Sequence, residues 1–176
     1  MRLLKMTVAF VLVSVGFLSL INDNKAPETG LTIGKKAPEI RTTLLNGSYF
    51  NLEAVKGKMV LIDFWASYDA SSRVENHAKG YLLESYGDKP FLNGNGFTIV
   101  SISLDRFKTP LNRAIEADQL EYPYHICDFN GRGSEIVKAF EAKELTKYLI
   151  DGDGRIVAVS GSIDQITKAL ERLKRG

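Results

Sequence analysis

Val60 to Arg73 read VLIDFWASYDASSR. The first half belongs to a mostly continuous apolar run, Lys58 to Trp65 (KMVLIDFW), the pattern of a strand covered on both faces of a sheet. Beyond it, Ala70 to Tyr86 carries Val74, Ala78, Tyr81, Leu82 and Tyr86 at helical spacing. A doubly covered strand leading into a helix is an α/β pattern.

Outward from that stretch the alternation continues. Phe97 to Leu104 (FTIVSISL) reads as a second buried strand. Tyr148 to Asp151, the turn Asp151-Gly152-Asp153-Gly154, and Arg155 to Ser160 read as a hairpin whose Asp/Gly loop supplies residues that tolerate positive φ. A second helix opens with Thr109 as N-cap and Pro110 in the first turn, burying Leu111, Ala114 and Ile115. A third covers about residues 134–140. The last starts with a capping box, Ser162 to Gln165, and repeats Ile163, Ile166, Ala169, Leu170 and Leu173. Strand–helix alternation closed by an antiparallel hairpin and a final helix predicts a three-layer α/β sandwich with a mixed sheet.

The chain has 176 residues, 44% apolar and 25% charged, which fits one globular domain. Beyond residue 30 there are 20 basic and 19 acidic residues. No charge excess points to nucleic acid or to a polybasic membrane patch. Cys127 is the one cysteine, so the chain holds no internal disulfide, no zinc-thiolate cage and no dithiol pair. With only His77 and His125 beside it, no metal site is expected, and nothing points to a cofactor.

Residues 1–21 read as a signal peptide or N-terminal membrane anchor. Arg2 and Lys5 precede Met6 to Ile21, 16 residues without a charge, shorter than the ~20 apolar residues of a bilayer span. Ser14-Val15-Gly16 is a small-x-small match, but it lies inside the apolar run. Residues 22–30 (NDNKAPETG) form a linker, and 31–176 the domain. Export is expected, to a bacterial periplasm or to a membrane-anchored position facing it, with attachment through Met6–Ile21.

Several segments resemble one family. Gly34-Lys35-Lys36-Ala37-Pro38-Glu39-Ile40 resembles the G-x-x-A-P-x-F opening of TlpA/ResA-like thioredoxin-fold proteins of the AhpC/TSA-redoxin superfamily, and Asn46-Gly47 with Leu52 to Lys58 (LEAVKGK) matches the next part of that opening. VLIDFWASYDASSR is similar to the family's V-L-V-D-F-W-A-S-W-C-x-P-C-R. Ser101 to Asp105 (SISLD) and Leu145 to Asp151 (LTKYLID) resemble its S-V-S-L-D and P-T-T-F-L-I-D segments. The likeness runs from about residue 31 to 173. It implies a thioredoxin-like sandwich with an N-terminal β-hairpin extension, and thiol–disulfide exchange by two cysteines at a helix start. There, unpaired N–H groups and the helix dipole stabilise a thiolate, and a second cysteine one turn on resolves the mixed disulfide.

This chain departs at those positions. Asp69 stands for the first cysteine, Ser72 for the second, and Leu145 for the proline that faces them, while Thr146 keeps the family's threonine. A cis bond before a non-proline residue costs ~2.5–4 kcal/mol, so a trans bond and a reshaped loop are expected at Leu145. Asp63 matches an aspartate that the resemblance implies is a proton relay. It is also readable as a hydrogen-bonded strand aspartate, buried beneath apolar neighbours that disfavour its charge. Asp69 or Ser72 serves as a helix N-cap, Ser72 with Glu75 forming a capping box. A Ser72–His77 dyad fails, since five residues at ~100° each leave the two far apart around the helix. Cys127 follows His125 on the same strand face, which admits an activated thiol, a bond to another chain, or a small buried apolar residue.

The sequence thus predicts an exported thioredoxin-like protein without dithiol chemistry, a binding or accessory module for a protein or peptide partner of the cell envelope. Its groove would be lined by Trp65, Tyr68, Asp69, Leu145 and Thr146. The alternatives are a thiol-disulfide oxidoreductase or antioxidant protein using Cys127 alone, and a structural domain of a membrane-anchored complex.

Overall fold

The computed structural model describes residues 28–175; the apolar segment 6–21 and most of the linker lie outside them. An N-terminal hairpin, β1 (Arg41–Thr43) and β2 (Tyr49–Asn51), precedes a 3-10 turn at Leu52–Val55 and the central strand β3 (Met59–Trp65). Then come α1 (Ala70–Tyr86), a small hairpin β4 (Pro90–Phe91) and β5 (Gly94–Asn95), β6 (Phe97–Ser103), α2 (Lys108–Ala117) and β7 (Tyr124–Ile126). A 3-10 turn at Gly131–Gly133, α3 (Glu135–Ala139), β8 (Lys147–Ile150), β9 (Ile156–Ser160) and α4 (Ile163–Leu173) complete the order.

The main sheet runs β7-β6-β3-β8-β9. β3, β6 and β7 are parallel, with Ile62 opposite Val100 and Val100 opposite Tyr124; β8 is antiparallel to β3, and β9 to β8. This is the predicted mixed sheet, with the N-terminal hairpin beside it. Side chains alternate across β3. Met59, Leu61 and Trp65 pack with α1, α2 and α4, while Val60, Ile62 and Phe64 pack against the hairpin, α3 and Tyr148. Two cores on opposite faces of one sheet make the three layers.

Three local readings are corrected. The apolar residues Val74 and Tyr81 of α1 face solvent, and Ser72, Asn76, Lys79, Leu82 and Tyr86 face inward. Polar partners in the core fix that rotation: Lys79 pairs with Asp63, and Asn76 Nδ2 donates to Asp118 at 2.6 Å. α2 begins at Lys108 with Phe107 as its cap residue, so Pro110 is its third residue rather than its first; the first four helical N–H groups have no partner within the helix, so the shift costs no bond. At α4 the capping box does not form. The Ser160 hydroxyl donates to Gln165 Oε1 at 2.8 Å, and the Ile163 N–H is taken by Glu75 Oε1 of α1 at 3.1 Å.

Candidate functional site

β3 ends at Trp65, and residues 66–69 turn the chain into α1. Asp69 is the N-cap, its Oδ1 accepting the Ser72 N–H at 2.6 Å. Ser72 sits one turn in and is buried, and its hydroxyl finds no partner among the described residues. Asp69 is therefore the cap. The Ser72–Glu75 capping box is absent, because Glu75 turns inward toward α4 and β8.

Beneath the helix start lies a buried charge cluster that the sequence reading missed. Asp63 is fully buried on β3, with Lys79 Nζ 2.5 Å from its Oδ2 and Lys147 Nζ 3.5 Å from its Oδ1. Lys147 also lies 2.6 Å from Glu75 Oε2 and donates to the Leu145 carbonyl at 3.2 Å. Two carboxylates face two ammonium groups. The apolar setting expected for Asp63 is thus corrected: its charge is met by both lysines. The signal was a lysine inside the apolar run LTKYLID and another on the inward side of α1.

Leu145 adopts φ +70, and no peptide bond among the described residues is cis. Its N–H donates to the Phe64 carbonyl at 2.9 Å. Proline fits neither feature, since its φ is fixed near −65° and it has no N–H. The loop is reshaped by a left-handed residue. Thr146 turns its hydroxyl to the Lys143 N–H at 3.1 Å, closing the turn.

The open cleft lies to one side of these positions. It has a volume of about 490 Å³, and Ser67, Tyr68, Asp105, Phe107, Gly131 and Arg132 are among the residues that line it. It opens at the C-terminal ends of β3 and β6, where α/β sheets gather their ligands. Of the predicted groove residues, only Tyr68 lines it. Trp65 is buried, its Nε1 donating to Ser101 Oγ at 2.8 Å with Lys79 Nζ 5.6 Å from its ring. Asp69, Leu145 and Thr146 stand outside the cleft wall.

Asp105 forms the cleft floor, accepting the Ser67 N–H at 2.8 Å, the Ser67 hydroxyl, and the Ser103 hydroxyl at 2.7 Å. At the rim, the Tyr68 hydroxyl donates to Glu144 Oε1 at 2.9 Å, and Arg132 donates to Glu144 Oε2 at 2.7 Å. Burial acts to raise the Glu144 pKa, but hydrogen bonds from its own backbone N–H, Arg132 and Tyr68 prevail and hold it below the ordinary carboxylate range. Burial, with the Glu144 contact, pushes the Tyr68 phenol up to about 12.

Cys127 is buried behind the cleft, its thiol donating to the Asp105 carbonyl at 3.3 Å. Burial pushes its pKa up, the opposite of what a nucleophilic thiol needs. His125 does not activate it: its Nε2 lies 3.0 Å from the Leu120 carbonyl, and its ring stacks on Tyr122 at 5.0 Å. Burial lowers the His125 pKa, disfavouring the charged ring. His77 is exposed on α1. Among the described residues, no three His, Cys, Asp or Glu side chains gather to hold a metal ion, and no helix is long and apolar enough to cross a membrane.

No protein-family model matches the chain. It is 28% identical over 159 residues to thiol-disulfide oxidoreductase ResA of Bacillus cereus, covering 89% of this chain and 86% of that protein. A 71-residue stretch is 35% identical to the thioredoxin-like protein YneN of Bacillus subtilis, covering 40% of this chain and 42% of that one. The thioredoxin domain of a thiol-disulfide oxidoreductase from Bacteroides vulgatus superposes with TM-score 0.70 at 27% identity, covering 81% of this chain and 98% of that one. A thiol:disulfide interchange protein from Bacteroides sp. gives 0.67 at 29% identity, covering 83% and 92%.

Proposed function

This chain is a TlpA/ResA-like thioredoxin-fold protein, and we propose that it works without dithiol exchange, as an exported binding or accessory module of the cell envelope. The observation that carries the reading is the single cysteine, Cys127, buried with its pKa raised. A dithiol mechanism forms one disulfide between two sulfurs of one chain, and here the second sulfur is missing. At the helix start, the Asp69 carboxylate accepts the Ser72 N–H, one of the groups that would otherwise stabilise a thiolate.

What remains at the strand ends is an open cleft with aromatic walls, suited to hold a segment of a partner. The export half of the reading rests on Met6–Ile21, with the domain held in the periplasm or tethered facing it. Use of Cys127 alone has no support from its surroundings.

The test is turnover of insulin disulfides in the presence of dithiothreitol. The full chain should leave the uncatalysed rate unchanged, and Cys127→Ser should behave identically. Turnover comparable with that of an ordinary thioredoxin overturns the proposal.

A further inference from the structure

Resting on the reading of this protein as a binding module, we propose that the cleft between Tyr68 and Phe107 receives an extended, acidic peptide segment of a partner protein.

Cleft size sets the first limit. About 490 Å³ lies within the ~300–1,000 Å³ of ligand sites, and the cleft is partly open to solvent, room enough for side chains of an extended segment. Its walls set the second. Tyr68 is 64% exposed and Phe107 72% exposed, and Leu104 and Pro110 belong to the same lining. Two large rings left in water beside one cleft supply apolar contact area at little conformational cost, since each has only two side-chain torsions to fix.

Charge sets the third. Arg106 and Arg132 line the cleft. Arg106 has no acidic partner within salt-bridge distance among the described residues. Arg132 and the Tyr68 hydroxyl already converge on one carboxylate, that of Glu144. The rim therefore displays, with the chain's own side chain, the donor pair that a carboxylate takes. The one acid in the lining, Asp105, is buried with both oxygens already accepting hydrogen bonds. An incoming acidic side chain thus meets the Arg106 guanidinium directly, and it reaches Arg132 and the Tyr68 hydroxyl by displacing Glu144.

The test uses the full chain against an array of eight-residue peptides of acidic, neutral and basic composition, with the strongest binders re-measured as fluorescein-labelled peptides by polarisation. Binders should be enriched in Asp and Glu. Replacing those residues by Asn and Gln should weaken binding at least tenfold, and so should Arg106→Glu or Phe107→Ser in variants with an unchanged melting temperature. Equal binding of all three compositions overturns the acidic partner but not the module. Retained affinity in both variants places the peptide elsewhere and overturns the cleft. Equal competition by free glutamate would make the occupant a small carboxylate, and that also overturns the proposal, as does the absence of any binder. Failure of the underlying reading shows separately, as insulin turnover.

Discussion

Leu145 bears a left-handed backbone, φ +70, that branched and bulky residues rarely adopt. It is held by the Phe64 carbonyl on one side and by Lys147 on the other. The sequence predicts only that the loop is reshaped, and the hand of the turn depends on contacts with residues far along the chain. Leu145→Pro should therefore destabilise the protein by ~3 kcal/mol or more, because it removes a hydrogen bond and forces φ to change sign. Leu145→Gly relieves the strain at the cost of backbone entropy, so it should fall within ~1 kcal/mol of the parent in either direction. Urea melts of both variants decide the matter; a well-tolerated proline would mean that the turn is not left-handed. The cap is a milder case. Asp69 and Ser72 both suit an N-cap by residue type, and only geometry shows that the carboxylate makes the bond while the serine hydroxyl is buried.

Among the elements, the buried charge cluster joins β3, α1, β8 and, through Glu75, the start of α4. Ion pairs taken out of water gain little net stability, but removing one partner leaves the other uncompensated and costs ~3–5 kcal/mol. Lys79→Met should show a loss of that size in chemical denaturation. Combining it with Asp63→Asn should cost less than the two single changes summed, because the contact is shared. Strict additivity would show that the two groups do not interact. This cluster also explains why apolar spacing misplaces the rotation of α1. Apolar periodicity locates inward faces when cores are apolar, whereas this helix turns Ser72, Asn76 and Lys79 inward and leaves Val74 and Tyr81 in water. The strands carry no such conflict. Met59 to Trp65 and Phe97 to Leu104 are covered on both faces, and their mostly apolar residues mark them as buried. The short β4–β5 hairpin, two residues per strand, leaves no periodic trace.

For the whole molecule, the titrating groups set a pH window. His125 has a lowered pKa in the fold through burial, so the folded state binds fewer protons than the unfolded one, and stability should start to fall as pH drops below the ordinary ~6.5. Burial acts to raise Asp118, but Arg73 and Asn76 prevail and hold it low, as the rim contacts hold Glu144. Their stabilisation is present above the ordinary carboxylate range of ~4 and is lost below it. Tyr68 and Tyr86 are raised to about 12, first by burial and then by Glu144 and Glu171. The folded state holds those protons more tightly, so stability falls as pH rises from ~10 toward that value. Melting temperatures from pH 3 to 11 should form a plateau from about pH 7 to ~8.5, above which deprotonation of the raised Cys127 thiol and then of the two phenols lowers stability. On the acid side a first decline should fall near ~6.5, and His125→Phe should remove it. A decline unchanged by that substitution would contradict the assignment.

The sandwich, its strand order by type and the N-terminal hairpin were legible because five separate segments fall in the right order along the chain. The cleft was not. Its walls come from segments at residues 67–68, 104–107 and 131–132, which the parallel pairing of β3 with β6 and of β6 with β7 brings to one end of the sheet. Trp65 shows why proximity in sequence misleads here: it adjoins the site and points into the core.

On the proposed reading, residues 69 and 72 occupy the dithiol position of an otherwise intact thioredoxin scaffold. Asp69 is half-buried at the helix start, and Ser72 is buried one turn in, the arrangement an attacking and a resolving sulfur would need. Insulin turnover by the double variant Asp69→Cys/Ser72→Cys, beside the parent chain, is the sharpest test. The parent should be silent, and the variant should form a reversible disulfide and turn over slowly, since Leu145 does not supply the proline face. A variant that folds with a normal melt but never joins its two new thiols, or a parent that turns over insulin, would contradict the reading.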